Sequence, residues 1–340
     1  MEYGAIDLHT RRSQIRIVTA DGTPVLERRI DTRAAEFARV FGGRPRMRIL
    51  VESSTESEWV ARGLEALGHD VIVADPTYAA MYGSRTRRIK TDRRDVAALA
   101  DACRQGIYRP AHRVSATMQH RRQQLRTREH LIRMRTQTIN AVRAILRQAG
   151  VRVPSGMTRT MVSRVREASL RPELEEAIGP LLETLNALAP IIARADAWVR
   201  HTAAHDPVAQ RLMTVPGVGG VVALTYQAAL DAPGRFGGQA GRASAYLGLV
   251  PGEHSSGEHQ RKGAITKAGP RAPRAVLVQA AWTLWRTGAR QAPALHAWVE
   301  QLAARRGRRI AVTALARRLS RILYALWRDD TVFVRRPIAA

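Results

Sequence analysis

The order of strand-like and helix-like segments in the first hundred residues restricts the fold more than any other feature. Residues 3–9 form a short apolar run that contains Asp7. Residues 13–20 and 24–30 alternate polar and apolar positions and flank Asp21-Gly22, a dipeptide that favours a tight hairpin. Residues 34–41 have the character of a short helix. Residues 47–51 are a compact apolar strand that runs into Glu52. Residues 58–67 have helical period, residues 69–74 form another buried strand, and residues 92–106 carry Val96, Leu99, Ala100 and Cys103 at helical spacing. Three strands, a helix, a strand, a helix, a strand and further helices predict an α/β domain over residues 1–110, a mixed sheet flanked by helices.

Downstream the pattern is helical. Residues 113–150 interleave Arg121, Arg122, Arg126, Arg128, Arg133, Arg135, Arg143 and Arg147 with Leu125, Leu131, Ile132, Ile139, Val142 and Leu146. The apolar set recurs at threes and fours, as in an amphipathic helix, and Gly150 and Pro154 end it. A second long helical stretch covers residues 173–200 and weakens near Pro190. The pair predicts a helical connector over residues 111–205, either an antiparallel coiled-coil arm or an ordinary helical domain. A mainly helical C-terminal domain is expected over residues 206–335. It has a turn at Val215-Pro216-Gly217-Val218-Gly219, a glycine- and charge-rich loop at 251–273, and helices at 274–286 and 294–328. The 215–219 turn resembles a helix-hairpin-helix, whose glycines let backbone N–H groups approach a phosphate; a plain helix–helix turn accounts for it equally.

The formal charge is +26, distributed as +4 over residues 1–110, +9 over 111–200 and +13 over 201–340. A field of that size favours polyanionic partners: DNA, RNA or an anionic membrane. A GC-rich coding sequence would enrich arginine too, but would not produce the excess over acids. No window of 18 residues is apolar and free of charge, so no membrane span is expected. The first ten residues carry two acids and no basic region, unlike a signal peptide. The single cysteine, Cys103, excludes an intrachain disulfide and a cysteine-based zinc cage. A reducing, cytoplasmic setting is the expectation.

Four carboxylates are placed for a two-metal site. Asp7 lies on the first strand. Glu52 ends the fourth, which neighbours the first in the RNase H-like sheets whose element order this chain matches. Asp92 and Asp95, three apart at the start of a helix that Thr91 can cap, share a face. Two Mg2+ ions ~4 Å apart require several oxygen ligands converging from different elements. Taken alone, Asp92 and Asp95 are better explained as acids that favour a helix N-terminus. Asp7 and Glu52 are harder to dismiss, because a carboxylate at the end of an apolar strand is costly unless paired or metal-bound. Glu56, Glu58 and Asp75 are rivals for the same role, and His9 is a candidate supporting residue. Arg87, Arg88, Lys90, Arg93 and Arg94 bracket the last acids and suit either a phosphate-attracting rim or a solvated face.

In the C-terminal third, Ser255-Ser256-Gly257 is followed by Arg261, Lys262, Lys267, Arg271 and Arg274. A serine beside glycine and several cations suits attack on a phosphate, although serine–glycine loops are common.

The segments GAIDLH, LVESS, KTDRRD, VPGVG, AYLGLVP, SSG and ITKAGP, in this order and at these spacings, resemble the DEDD-type insertion-sequence transposases, the IS-one-ten family, which is related to the Piv site-specific DNA invertases. The resemblance spans roughly residues 3–330. It implies an N-terminal RuvC-like (RNase H-like) domain, a helical connector and a C-terminal transposase domain. It places the family's acidic tetrad on Asp7, Glu52, Asp92 and Asp95, with Mg2+ as cofactor, and its serine nucleophile on Ser256, with Ser255 as the neighbouring alternative. It further implies cut-and-rejoin recombination of DNA element ends and target through a circular intermediate. Guidance by a structured noncoding RNA, a homo-oligomer (dimer or tetramer) and action at the bacterial nucleoid are implied as well. The acids and the serine fall in different expected domains, which leaves open whether one subunit supplies both. Three other readings stand beside this one: a RuvC-like metal-dependent nuclease that uses water, a Piv-like invertase acting at fixed sites, and a non-catalytic nucleic-acid-binding scaffold.

Overall fold

The computed structural model describes residues 1–83, 91–253 and 262–334, and the chain divides into two compact units, residues 1–114 and 115–340.

The first unit is built on a five-stranded mixed sheet. Its strands are β1 (Tyr3–Asp7), β2 (Arg12–Val18), β3 (Pro24–Asp31), β4 (Arg48–Glu52) and β5 (Asp70–Ala74), in the order β3-β2-β1-β4-β5. The hairpin strands β2 and β3 are antiparallel, while β1, β4 and β5 run parallel. Strands buried on both faces read as apolar runs, as Ile49–Val51 and Val71–Ala74 do. One face packs on α1 (Ala34–Phe41) and α2 (Ser57–Ala66): Ile6, Ile15, Ile17, Ile49 and Val51 meet Phe37, Val40, Val60 and Leu64. On the other face lies α3 (Asp92–Gln105), whose Val96, Leu99, Ala100 and Cys103 cover Ala5, Val18, Leu50 and Ala74. This arrangement is the mixed sheet with flanking helices expected from the element order.

Cys103 is buried in that second layer, and burial pushes its thiol pKa up to about 12, against the weaker opposing pull of Arg48. The thiolate is the reactive species. Native protein at pH 8 is therefore expected to resist iodoacetamide, with full labelling only on denaturation; mass spectrometry of the alkylated peptide checks this.

The second unit is almost all helix. Its long members are α4 (Ala116–Gln148) and α6 (Pro172–His205), with the short α5 (Met161–Arg166) between them. The two run antiparallel: Arg128 pairs with Asp196 at 2.6 Å and Arg121 with Asp206 at 2.9 Å, while Leu146 packs with Ile178 at the far end. Then follow α7 (Pro207–Met213), α8 (Gly220–Leu230), α9 (Ala240–Tyr246), a two-stranded ribbon of β6 (Pro251–Glu253) and β7 (Lys262–Ile265), α10 (Arg271–Thr287), α11 (Pro293–Arg306) and α12 (Arg308–Arg328). Residues 223–230 of α8 are all buried, as expected for a helix at the centre of a core. Its Tyr226 hydroxyl donates to the Ser320 carbonyl of α12 at 2.7 Å.

Several expectations change. The expected boundary near residue 205 does not separate compact units, because α4 and α6 pack on α8 and Leu125 joins the main core of the second unit. The expected helix over 294–328 is two helices, broken at Gly307, which adopts a left-handed φ of 81°. The expected loop over 251–273 contains β6, β7 and the start of α10. In the 215–219 turn, a side chain on Gly217 would meet the Ala280 carbonyl oxygen at 2.7 Å, so packing against α10 explains that glycine without any phosphate.

The arginines of α4 are also less available than their number suggested. Arg121 is buried and donates to Asp206 and Gln227. Arg122 donates to the carbonyls of Ala228 and Ala229, and Arg128 to Asp196. Three of the eight therefore hold the unit together, while Arg126, Arg133 and Arg147 are exposed. Among the described residues no helix is long and apolar enough to cross a membrane.

Candidate active site

Two of the expected acids, Asp7 and Glu52, end neighbouring interior strands of the sheet, β1 and β4. The parallel pairing of β1 with β4 sets Ile6 opposite Val51, so Asp7 and Glu52 follow at the same level on neighbouring strands. Side chains alternate across a strand. Asp7 and Glu52 therefore share a face with Ala5 and Leu50, the face that α3 covers. Helix α3 delivers the other two acids in its first turn. Thr91 caps it, its hydroxyl accepting from the Arg94 N–H at 3.4 Å, and Arg93 donates to Glu27 of β3 at 2.5 Å, which holds the N-terminus of the helix over the hairpin.

The structure brings Asp7, His9 and Asp92 together: one ligand atom from each lies within 4.8 Å of the others. The His9 imidazole Nε2 is 3.4 Å from Asp7 Oδ2 and 3.7 Å from Asp92 Oδ1. Arg29 of β3 approaches the other oxygen of Asp92 at 3.7 Å. Asp7 and Asp95 are buried, whereas Asp92 and His9 are open to solvent. Asp95 lies on α3 with Asp92, and Glu52 ends the neighbouring strand β4, but neither is a member of this three-residue group.

The rival acids are engaged elsewhere. Glu56 accepts from the Trp59 indole N–H at 2.6 Å. Asp75 accepts from Thr77 and Arg109, and these hydrogen bonds, Thr77 first, hold its carboxyl below the usual range. Burial would raise the Glu58 pKa, but hydrogen bonds from Arg113 and Arg62 outweigh it and the net shift is downward. Ser255, Ser256 and Arg261 of the serine loop, and Arg87, Arg88 and Lys90 of the basic rim, lie outside the described residues. The strands on either side of the serine segment are antiparallel, with Pro251 opposite Ile265 and Glu253 opposite Lys262.

Comparison with known proteins settles the family. A pattern described as "Transposase", specific to DEDD transposases of the IS110 type, matches residues 5–151, and one described as "Transposase IS116/IS110/IS902 family" matches residues 209–297. A "probable family 20 transposase" of Pseudomonas aeruginosa is 30% identical over 306 residues, covering 88% of this chain and 89% of that protein. The chain belongs to the IS110 family of insertion-sequence transposases. The transposase for insertion sequence element IS1328 of Yersinia enterocolitica is 25% identical over 334 residues, 96% of this transposase and 97% of the relative. As a member of that family the chain is a DNA transposase. His9, which the sequence offers only as a supporting residue, lies two residues beyond the end of β1.

Proposed function

We propose that this transposase cuts and rejoins DNA by phosphoryl transfer, using Asp7, Glu52, Asp92 and Asp95 to hold Mg2+ and Ser256 as the nucleophile. The convergence of Asp7 and Asp92 from two separate elements carries the acidic half of this reading. Two carboxylates at such range repel unless a cation or a proton lies between them, and a set of hard oxygen donors suits Mg2+. Asp7 and Asp92 would hold one ion, and Glu52 at the end of β4 and Asp95 in the first turn of α3 would complete a site for two. When bound, Mg2+ supplies Lewis-acid polarisation of the phosphate and stabilises the leaving oxygen.

The serine half rests on the family resemblance of the SSG segment. The Ser256 hydroxyl attacks the scissile phosphorus. A serine–phosphate bond forms as the bond to the departing strand's oxygen breaks, and that oxygen leaves as a hydroxyl. A strand hydroxyl then attacks the phosphoserine, re-forming a phosphodiester and returning the proton to Ser256. The ester exchange conserves bond energy, so rejoining needs no ATP. In this reading the partners are element ends and target DNA, a structured noncoding RNA that pairs with both, and further copies of the chain. The +26 charge supports nucleic-acid partners.

The test uses purified full-length protein with co-expressed flanking RNA, Mg2+ and end-labelled DNA spanning the element junction, resolved on denaturing protein gels. A protein–DNA adduct is expected from wild type and from Ser255→Ala, and none from Ser256→Ala. Cleavage that proceeds without an adduct and survives Ser256→Ala would leave a water-using nuclease and sink the serine mechanism.

A further inference from the structure

We infer that His9 is a third ligand to the cation held by Asp7 and Asp92, and that its imidazole makes the site bind Mn2+ in preference to Mg2+. This rests on the proposed acidic metal site and adds a residue outside the four carboxylates.

Three observations support it. The imidazole Nε2 is the atom aimed at both acids, 3.4 Å from Asp7 and 3.7 Å from Asp92, so a cation between those carboxylates would have a nitrogen donor within reach. The backbone of His9 is fixed: the Thr32 hydroxyl donates to the His9 carbonyl at 2.7 Å, and Ser13 and Thr32 hydroxyls share a further bond of 2.7 Å. The turn that carries the imidazole is thereby tied to the end of β3, which limits the entropy lost on ligation. Finally, half of the His9 side chain is exposed, so the imidazole can turn towards an entering ion without opening the core. Arg29 lies 3.7 Å from Asp92 and opposes an entering cation from its side. Mg2+ prefers oxygen and parts reluctantly with water, whereas a nitrogen ligand adds more to the binding of a first-row transition ion.

Mn2+ is the probe of choice, because the exposed His201 and His205, four apart on α6 with rings stacked at 4.2 Å, would compete for later transition metals. Binding of Mn2+ to the full chain is followed by loss of the free-ion electron paramagnetic resonance signal, and Mg2+ by competition. His9→Ala is expected to weaken Mn2+ about tenfold, to change Mg2+ by less than about threefold, and to erase the imidazole nitrogen coupling from the bound Mn2+ spectrum. Equal loss of both ions, or unchanged binding with the coupling retained, overturns the assignment. Asp7→Asn separates the two readings. If it releases both ions while His9→Ala has no effect, only the inference about His9 fails. If wild type binds neither ion, the carboxylate site fails and the His9 assignment with it.

Discussion

Asp7→Asn is expected to lower DNA cleavage and adduct formation by on the order of 100-fold or more while leaving the fold intact. The substitution keeps the shape of a buried side chain at the end of β1 and removes its charge. In the proposed site that charge faces Asp92, so in the absence of metal its removal relieves repulsion between like charges. The melting temperature without added divalent ion should therefore hold or rise, even as activity falls, as at other sites where function keeps destabilising charge in place. Adding Mg2+ should stabilise wild type by binding only the folded state and leave Asp7→Asn unmoved. Single-turnover cleavage and melting curves with and without Mg2+ check both halves. A variant within a few-fold of wild-type activity would remove Asp7 from the chemistry.

The first unit was legible because its signals are local. Each parallel strand is one apolar run, each helix carries its own period, and Asp7 and Glu52 stand where such runs end. The packing then follows from alternation: Ala5 and Leu50 face α3, so Asp7 and Glu52 do as well. His9 was harder to rank, since an exposed histidine between two strands has many uses, and the approach of Asp92 to the Asp7–His9 pair depends on how α3 packs.

In the second unit the deciding interactions are distant in sequence. Arg128 meets Asp196 and Arg121 meets Asp206, 68 and 85 residues apart, so neither pair could be told from solvent-facing charge by spacing. Asp206 also caps α7: burial would raise its pKa, but the Ala209 N–H and Arg121 outweigh that and hold it low. The arginines spent this way belong to the architecture of the unit. The hydrophobic pattern continues from α11 into α12, which hid the break at Gly307. Strands β6 and β7, of three and four residues, are too short to show alternation.

The glycines of AYLGLVP and ITKAGP were recognisable as motif positions, but their physical reason is tertiary. Gly248 has φ 67° and Gly269 φ 86°. A side chain on Gly269 would fall on the Tyr246 carbonyl oxygen, and one on Gly248 on the Ala268 carbonyl oxygen. The two segments thus cross backbone against backbone, joined by Lys267 N–H to the Gly248 carbonyl at 3.1 Å and Thr266 N–H to the Val250 carbonyl at 2.9 Å. This crossing lies at the base of the ribbon whose two strands flank residues 254–261 in the sequence. Gly269→Ala combines a strained φ with a backbone collision and is expected to cost about 3 kcal/mol or more. In a unit of this size each kcal/mol shifts the midpoint by about 2–4 °C, so a fall of roughly 6–12 °C in the melting of residues 115–340 should follow in calorimetry. The serine adduct should be lost with it, while Mn2+ binding by the first unit stays unchanged. Gly63→Ala, in α2 with open space around it, is the matched control and should stabilise by about 0.5–1 kcal/mol. If Gly269→Ala melts within a degree or two of wild type and still forms the adduct, the backbone crossing is needed neither for the stability of the unit nor for the serine step.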